Sequence, residues 1–213
     1  MQALFSSLNK KREMVGAWLW VLCVEYFLTQ AWVASQWSID FDIRKHAISD
    51  LGAVTCGMFG DRMVCSPQHT VMNAGFIVLG LLMAGGSYFL WQHFKQARLG
   101  FILIAMSGLG GIIVGIFPED TVEVMHIAGA SLSFITGGLG MIVCGLRLDI
   151  PRWLRYVSIF LGVFSLISLI ALSLGFYQTL GFGTVERFVS YPITLWLMTF
   201  GVSRIIAKSR QSL

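Results

Sequence analysis

Residues 97–117, ARLGFILIAMSGLGGIIVGIF, decide the fold of this chain. After Arg98 the stretch carries no charged side chain. About 20 apolar residues in a helix that rises 1.5 Å per residue cross the hydrocarbon core of a membrane, which is about 30 Å thick. The stretch therefore predicts a transmembrane helix.

Five further apolar runs of comparable length surround this one. The chain of 213 residues is 56% hydrophobic and 12% charged, whereas soluble domains average about 25% charged residues. We predict an all-α, polytopic bundle of six transmembrane helices that forms a single integral membrane domain over residues 1–213. The predicted spans are residues 15–35, 70–94, 97–117, 124–146, 153–175 and 188–207.

The charge of the chain excludes several classes of function. Its composition is unlike that of a disordered chain, a conventional soluble enzyme or a basic nucleic-acid-binding domain, and we expect no nucleic-acid partner. The formal net charge of +4 is better explained by the Lys and Arg residues that membrane proteins carry in their cytoplasmic loops.

The distribution of Lys and Arg predicts the orientation. If the amino terminus is cytoplasmic, all but four of the 15 basic residues lie on the cytoplasmic side. Such a bias favours two cytoplasmic termini, a long first extracytoplasmic loop over residues 36–69, and a multi-pass protein of the cell membrane. The four exceptions are Arg44, Lys45, Arg62 and Arg187.

The first loop contains two cysteines, Cys56 and Cys65. An oxidising outer compartment would permit a disulfide between them. Two free thiols or a pair of metal ligands are the alternatives.

Polar residues gather at the outer ends of the spans. His46 and Asp50 lie at positions i and i+4, so they would share one face if this piece is helical, and His69 and Asn73 repeat this spacing. Further polar residues near the outer ends are Ser49, Glu119, Asp120, His126, Glu186, Arg187 and Ser190.

Glu25 is the hardest polar residue to explain, because it lies in the middle of the first span with Thr29 one turn further on. An ionisable group at this depth costs about 2.5–3.5 kcal/mol on insertion scales and usually faces a polar interior. Glu25 would either line a cavity or make a purely structural hydrogen bond.

Four short motifs resemble one known family. They are SDLG at residues 49–52, NAGF at 73–76 with Gly80, VGIFPE at 114–119, and His126. In their order and rough spacing they resemble the "domain of unknown function 998" integral membrane proteins. The resemblance implies a small six-helix membrane protein and brings no activity. The cysteine pair is not part of the resemblance, so the bridge rests on topology alone.

The first functional hypothesis is a non-enzymatic protein that handles a membrane lipid or a small amphiphile. It requires convergent polar groups inside a bundle with apolar walls, opening towards the outer leaflet. Arg187 would contact a phosphate or carboxylate head group, and Glu25 would form the floor. The residues predicted to line this pocket are Ser49, Asp50, Asn73, Glu119, Asp120, His126, Glu25 and Arg187.

The second hypothesis is a membrane-embedded lipid hydrolase. His46, His69 and His126 would supply three ligands for a catalytic zinc with an open water position, although the sequence contains no HxxxH or HExxH motif. Metal-free acid–base chemistry by Asp50 and His126, with Ser49 as nucleophile, is an alternative. Outside the zinc version we expect no cofactor.

A third class, a non-catalytic scaffold subunit, is consistent with the lack of a definite catalytic motif. The sequence does not decide whether the protein is an enzyme, and it does not give the oligomeric state.

Overall fold

The structure, a computed structural model, describes the backbone of residues 2–210 and the side chains of residues 11–210. It is 74% helical. The α-helices are α1 (Gln2–Val21), α2 (Glu25–Ser35), α3 (His69–Trp91), α4 (Arg98–Ile116), α5 (Glu123–Arg147), α6 (Arg152–Ser173) and α7 (Phe182–Ser209). Short 3-10 turns lie at Leu22–Val24, Ser49–Gly52 and Lys95–Ala97, and two strands, β1 (Gly57–Phe59) and β2 (Arg62–Val64), form a hairpin.

The prediction of a six-helix membrane bundle is confirmed. In the described part of the chain, six helical segments are long and apolar enough to cross a membrane. The first is α1 and α2 joined through the turn Leu22–Val24, which together give a span of Lys11–Ser35. Many large apolar side chains on the outside of the bundle are exposed, Leu81, Phe160 and Ile167 among them. A lipid environment is where such a surface is stable.

The helices pack through small residues. A Cβ atom added at Gly80 would collide with the backbone of Gly108, so α3 and α4 touch along their backbones. Between α4 and α5, Ser107 donates a hydrogen bond of 2.8 Å to the carbonyl of Ser133. Close backbone contact of this kind is typical of helix association in membranes, where packing rather than water exclusion drives assembly.

The predicted span boundaries agree with the structure to within a few residues except in the last span. Helix α7 begins at Phe182 rather than at residue 188. Gly181 precedes it with a φ of +91°, a left-handed conformation that suits glycine. The additional first turns include the charged residues Glu186 and Arg187, which hydropathy alone assigns to a loop. They are tolerated in the helix because the first loop, not lipid, covers them.

The long first loop folds onto one end of the bundle. We call this the loop end, and the other the opposite end. All residues from His46 to Ala53 are buried. The hairpin β1–β2 turns at Gly60, which has a φ of +62°, and the predicted disulfide between Cys56 and Cys65 closes it. The sequence-based prediction does not include this hairpin, although Gly60 and Asp61 between short apolar runs are typical of a two-residue turn.

Candidate functional site

Asp50 is the centre of the buried polar groups at the loop end. It is completely buried, and its carboxylate accepts three N–H donors. The backbone N–H of Ala47 donates to Oδ2 at 2.7 Å. The guanidinium of Arg62 binds both oxygens, Nε to Oδ2 at 2.9 Å and Nη2 to Oδ1 at 3.0 Å. A bidentate pair of this kind fixes both geometry and charge, so the hairpin is held against the SDLG turn.

Arg62 also faces the other carboxyl groups of this end, Glu119 and Glu186. Its guanidinium lies 4.5 Å from the ring centroid of Phe182. Burial acts to lower the pKa of Arg62, but the hydrogen bond to Asp50 outweighs it and the pKa is raised. Arg62 is therefore a permanent cation in this site. Its place among the four exceptions to the positive-inside rule is the one sequence signal that could have identified it.

Two predicted pocket residues hold the loop by hydrogen bonds to its backbone. Asn73 of α3 donates to the carbonyl of Gly52 at 2.8 Å. Asp120 accepts the N–H groups of Val54 and Thr55 at 3.0 and 2.7 Å, and the Thr55 hydroxyl at 2.7 Å. Burial acts to raise the pKa of Asp120, but these hydrogen bonds outweigh it and hold the pKa below its usual range. Asn73 thus secures the end of the SDLG segment, and Asp120 secures the residues that follow it.

The start of α7 holds the loop from the other side. Glu186 accepts the backbone N–H of Ile48 and, at 3.3 Å, the hydroxyl of Ser49. Arg187 donates through Nη1 to three backbone carbonyls, at 3.0, 2.8 and 2.7 Å: those of Ile43, His46 and Gly183. These bonds occupy Nη1 of the residue that the first hypothesis assigns to an anionic head group, whereas its Nε has no hydrogen-bond partner among the described residues.

Glu119 lies beside Asp50 and Ser49 and is only 6% exposed. In contrast to Asp50, its Oε1 has no hydrogen-bond partner among the described residues. Burial first, and then the neighbouring Asp50, raise the pKa of Glu119 to about 10. The carboxyl group therefore favours its neutral, protonated form at neutral pH.

A cavity lies directly beneath the SDLG turn, between α2, α3, α4, α5 and α7. The space open to the centres of water molecules is about 50 Å³. Its polar lining consists of Tyr26, Ser49, His126, Ser133, Glu186, Ser190 and Thr194. Its apolar lining includes Phe76, Leu79, Met83 and Ile193.

Two hydroxyl groups on this cavity are unsatisfied. Ser190 is 5% exposed and Thr194 is 1% exposed, and neither hydroxyl makes a hydrogen bond of good geometry in the described part of the chain, although Tyr26 lies beside Ser190. Buried polar groups are almost always paired, so these two hydroxyls are free to form hydrogen bonds with a molecule in the cavity. The sequence places Ser190 on the same face as Glu186. Thr194, one further turn along α7, extends this series and is absent from the sequence-based prediction.

The predicted residues divide between the cavity and its surroundings. Ser49 and His126 line the cavity, whereas Asp50, Asn73, Glu119, Asp120 and Arg187 lie outside its lining. Glu25 does not line it either. Its Oε2 accepts a 3.3 Å hydrogen bond from Thr29, one turn further along the same helix.

The three histidines of the zinc hypothesis each contact a different part of the backbone. His46 contacts the carbonyl of Met63 at 3.2 Å, His69 that of Ser66 at 3.0 Å, and His126 that of Phe117 at 2.9 Å. Among the side chains of residues 11–210, no three His, Cys, Asp or Glu residues are grouped so that they could hold a metal ion. The arrangement does not favour a zinc-dependent hydrolase.

Together, the fold and the buried loop define a small polytopic helical membrane protein. The chain belongs to the family described as "Protein of unknown function (DUF998)", whose model matches residues 14–203. The match confirms the family and extends well beyond the SDLG-to-His126 region that carries the resemblance. Neither a curated protein nor a solved structure matches the chain.

Proposed function

We propose that this protein binds the polar head of a small, uncharged amphiphile in the cavity beneath the SDLG turn. The observation that carries the proposal is the pair of unsatisfied hydroxyls of Ser190 and Thr194. Each hydroxyl can donate one hydrogen bond and accept others. A ligand with a hydroxyl or amide group would satisfy both.

The charge of the lining supports an uncharged head group. No Lys or Arg is among the described residues that line the cavity, and Glu186 contributes a carboxyl group. A phosphate would therefore meet no countercharge there. His126 adds a neutral hydrogen-bonding group: if Nδ1 donates to the carbonyl of Phe117, Nε2 is left as an acceptor.

The size and lower walls of the cavity support a small head group joined to an apolar chain. A buried water needs about 10–15 Å³ by the same measure of volume, so about 50 Å³ accommodates only a few atoms of similar size. The side chains of Leu79, Met83 and Ile193 form apolar walls. Such a combination of a few polar groups with apolar walls is typical of small-molecule sites.

The test compares two detergent-like ligands of equal chain length, monooctanoylglycerol and octyl phosphate. We expect the purified protein to bind the uncharged glycerol ester more tightly, as measured by the ligand-dependent shift in thermal unfolding. Thr194→Val should weaken this binding by about 2- to 10-fold, because one hydrogen bond contributes about 0.5–1.5 kcal/mol.

Thr136→Val is the matched control. Thr136 is also buried in the bundle, but its hydroxyl already donates at 2.6 Å to the carbonyl of Leu132, so its removal should leave binding unchanged. Thr194→Val removes an unsatisfied buried hydroxyl and should not destabilise the protein without ligand. Tighter binding of octyl phosphate, or equal binding by Thr194→Val and the wild type, would contradict the proposal.

A further inference from the structure

The loop end contains more buried carboxyl groups than guanidinium groups to balance them. Three carboxyl groups, those of Asp50, Glu119 and Glu186, face the guanidinium of Arg62. Arg187 lies close to Glu186. Among the side chains of residues 11–210, two cations therefore stand against three acids that are each less than a tenth exposed. An unpaired charge in such a place is costly, so one of the three acids must be neutral.

Hydrogen bonding identifies which acid is neutral. Asp50 accepts three N–H donors, and Glu186 accepts the N–H of Ile48 and the hydroxyl of Ser49. Both patterns stabilise a carboxylate. Glu119 receives no N–H donor among the described residues, and its Oε1 is unpartnered.

Asp50 is the acceptor that a protonated Glu119 needs. Among the described residues, its Oδ1 accepts only Nη2 of Arg62 and keeps a free lone pair, and the two carboxyl groups are within hydrogen-bonding reach. The groups that face Glu119 are Asp50 and Ser49 from the SDLG turn, Arg62 from β2 and Glu186 from α7. The raised pKa of Glu119 agrees with this geometry, because both favour the protonated carboxyl group.

We propose that Glu119 and Asp50 form a proton-binding pair, in which Glu119 holds the proton and donates it in a hydrogen bond to Asp50. When the proton is released to water, Glu119 becomes a second acceptor for the hydroxyl of Ser49. That hydroxyl, which now donates to Glu186, lines the cavity. Proton release would thus redirect one polar group of the cavity wall. The proton-binding pair does not require a ligand in the cavity, so this inference is independent of the proposed function.

The direct test is infrared difference spectroscopy of the full-length protein in detergent, from neutral to strongly alkaline pH. The wild type should show the carbonyl band of a protonated carboxylic acid at neutral pH, and this band should disappear as the pH rises. Glu119→Gln should lack the titrating band. Glu25→Gln, which removes a half-buried acid of the first span, should retain it. The proposal is overturned if the band is absent from the wild type or persists in Glu119→Gln.

A second variant tests the role of Ser49 without removing either acid. A hydroxyl that donates to ionised Glu119 favours the ionised form, so Ser49→Ala should raise the pH at which the band disappears. An unchanged midpoint would remove Ser49 from the proposal.

The pH dependence of thermal unfolding gives a readout that does not depend on assigning a band. Because the folded state binds the Glu119 proton more tightly than the unfolded chain, the resulting stabilisation is complete below the ordinary Glu pKa of 4.5. It is lost progressively as the pH rises towards about 10. The wild-type Tm should therefore fall more steeply over this range than that of Glu119→Gln. Equal slopes would overturn the proposal.

Discussion

Each end of the bundle buries an acid, and the two ends do so differently. At the opposite end Glu13 is 3% exposed and binds Arg204 at 2.6 Å, with His93 at 3.5 Å. At the loop end Asp50 is completely buried against Arg62, and two further acids lie nearby. The Glu13 group joins α1 to α7 directly. The Asp50 group instead holds a long loop in place and surrounds a cavity.

The difference indicates separate roles for the two ends. Glu13 contacts both Arg204 and His93, so it keeps one partner if the other is removed. We therefore interpret the Glu13 group as a structural contact. At the loop end, three acids face two arginines, and we propose that one of the acids binds a proton. The unsatisfied hydroxyls of the cavity lie directly beneath these acids. The loop end is where the structure departs from what stability alone requires, and such departures are expected at functional sites.

The largest expected effect comes from removing the arginine at each end. Arg62→Met should lower the free energy of unfolding by about 3–5 kcal/mol, because it leaves Asp50 as a buried, unpaired charge. Arg204→Met should cost less, since His93 remains beside Glu13 and Arg204 is already 20% exposed. Reversible unfolding in mixed detergent micelles measures both variants.

Equal losses for Arg62→Met and Arg204→Met would mean that the two ends are energetically equivalent. A smaller loss for Arg62→Met would reverse the comparison.

A smaller effect is expected when the disulfide of the loop end is removed. The Cys56→Ser/Cys65→Ser double variant should lose about 2–3 kcal/mol, from the loop-closure entropy of a loop of about ten residues. Because the bridge closes the hairpin that carries Arg62, amide exchange should become faster at Ala47, whose N–H bonds to Asp50.

The control for this prediction is a reducing agent. It should destabilise the wild type and have no further effect on the double variant. Faster exchange in α1 near Glu13, as large as that at Ala47, would show that the bridge does not act locally.

The smallest effect is expected at the opposite end. His93→Gln should lower the free energy of unfolding by less than about 1 kcal/mol, because His93 is partly exposed and the tighter Arg204–Glu13 contact is kept. Thermal unfolding of His93→Gln and Arg204→Met, measured under the same conditions, would show which variant loses more stability. A loss for His93→Gln that exceeded the loss for Arg204→Met would identify the histidine as the main partner of Glu13.

Particular residues show how far sequence reasoning reaches in the site. The disulfide is predictable because Cys56 and Cys65 lie in one loop, so their proximity needs no knowledge of helix packing. Ser49 and His126 are predicted as lining residues and do line the cavity. Arg62 is not among the predicted site residues, because its link to Asp50 depends on how the hairpin turns back onto the SDLG segment.

The roles of the other predicted residues also depend on packing. The sequence-based prediction places Asp120 and Arg187 in the pocket because polar residues gather at the outer ends of the spans and could converge there. In the structure their hydrogen-bonding groups bind the backbone of the loop. Sequence spacing cannot distinguish a side chain that faces a cavity from one that holds a neighbouring loop, since both are polar and lie near the ends of the spans.

The membrane bundle, its six long helices and the family follow from the order of the residues alone. Hydropathy is a sum over neighbouring residues, and the requirement that every backbone group be satisfied inside a membrane leaves the helix as the form of each span. The arrangement of the candidate site, in contrast, depends on tertiary packing. The loop brings the start of α7, the hairpin and the end of α4 together in one place. The proposed neutral state of Glu119 and the unsatisfied hydroxyl of Thr194 both depend on which hydrogen-bond partners this packing leaves within their reach.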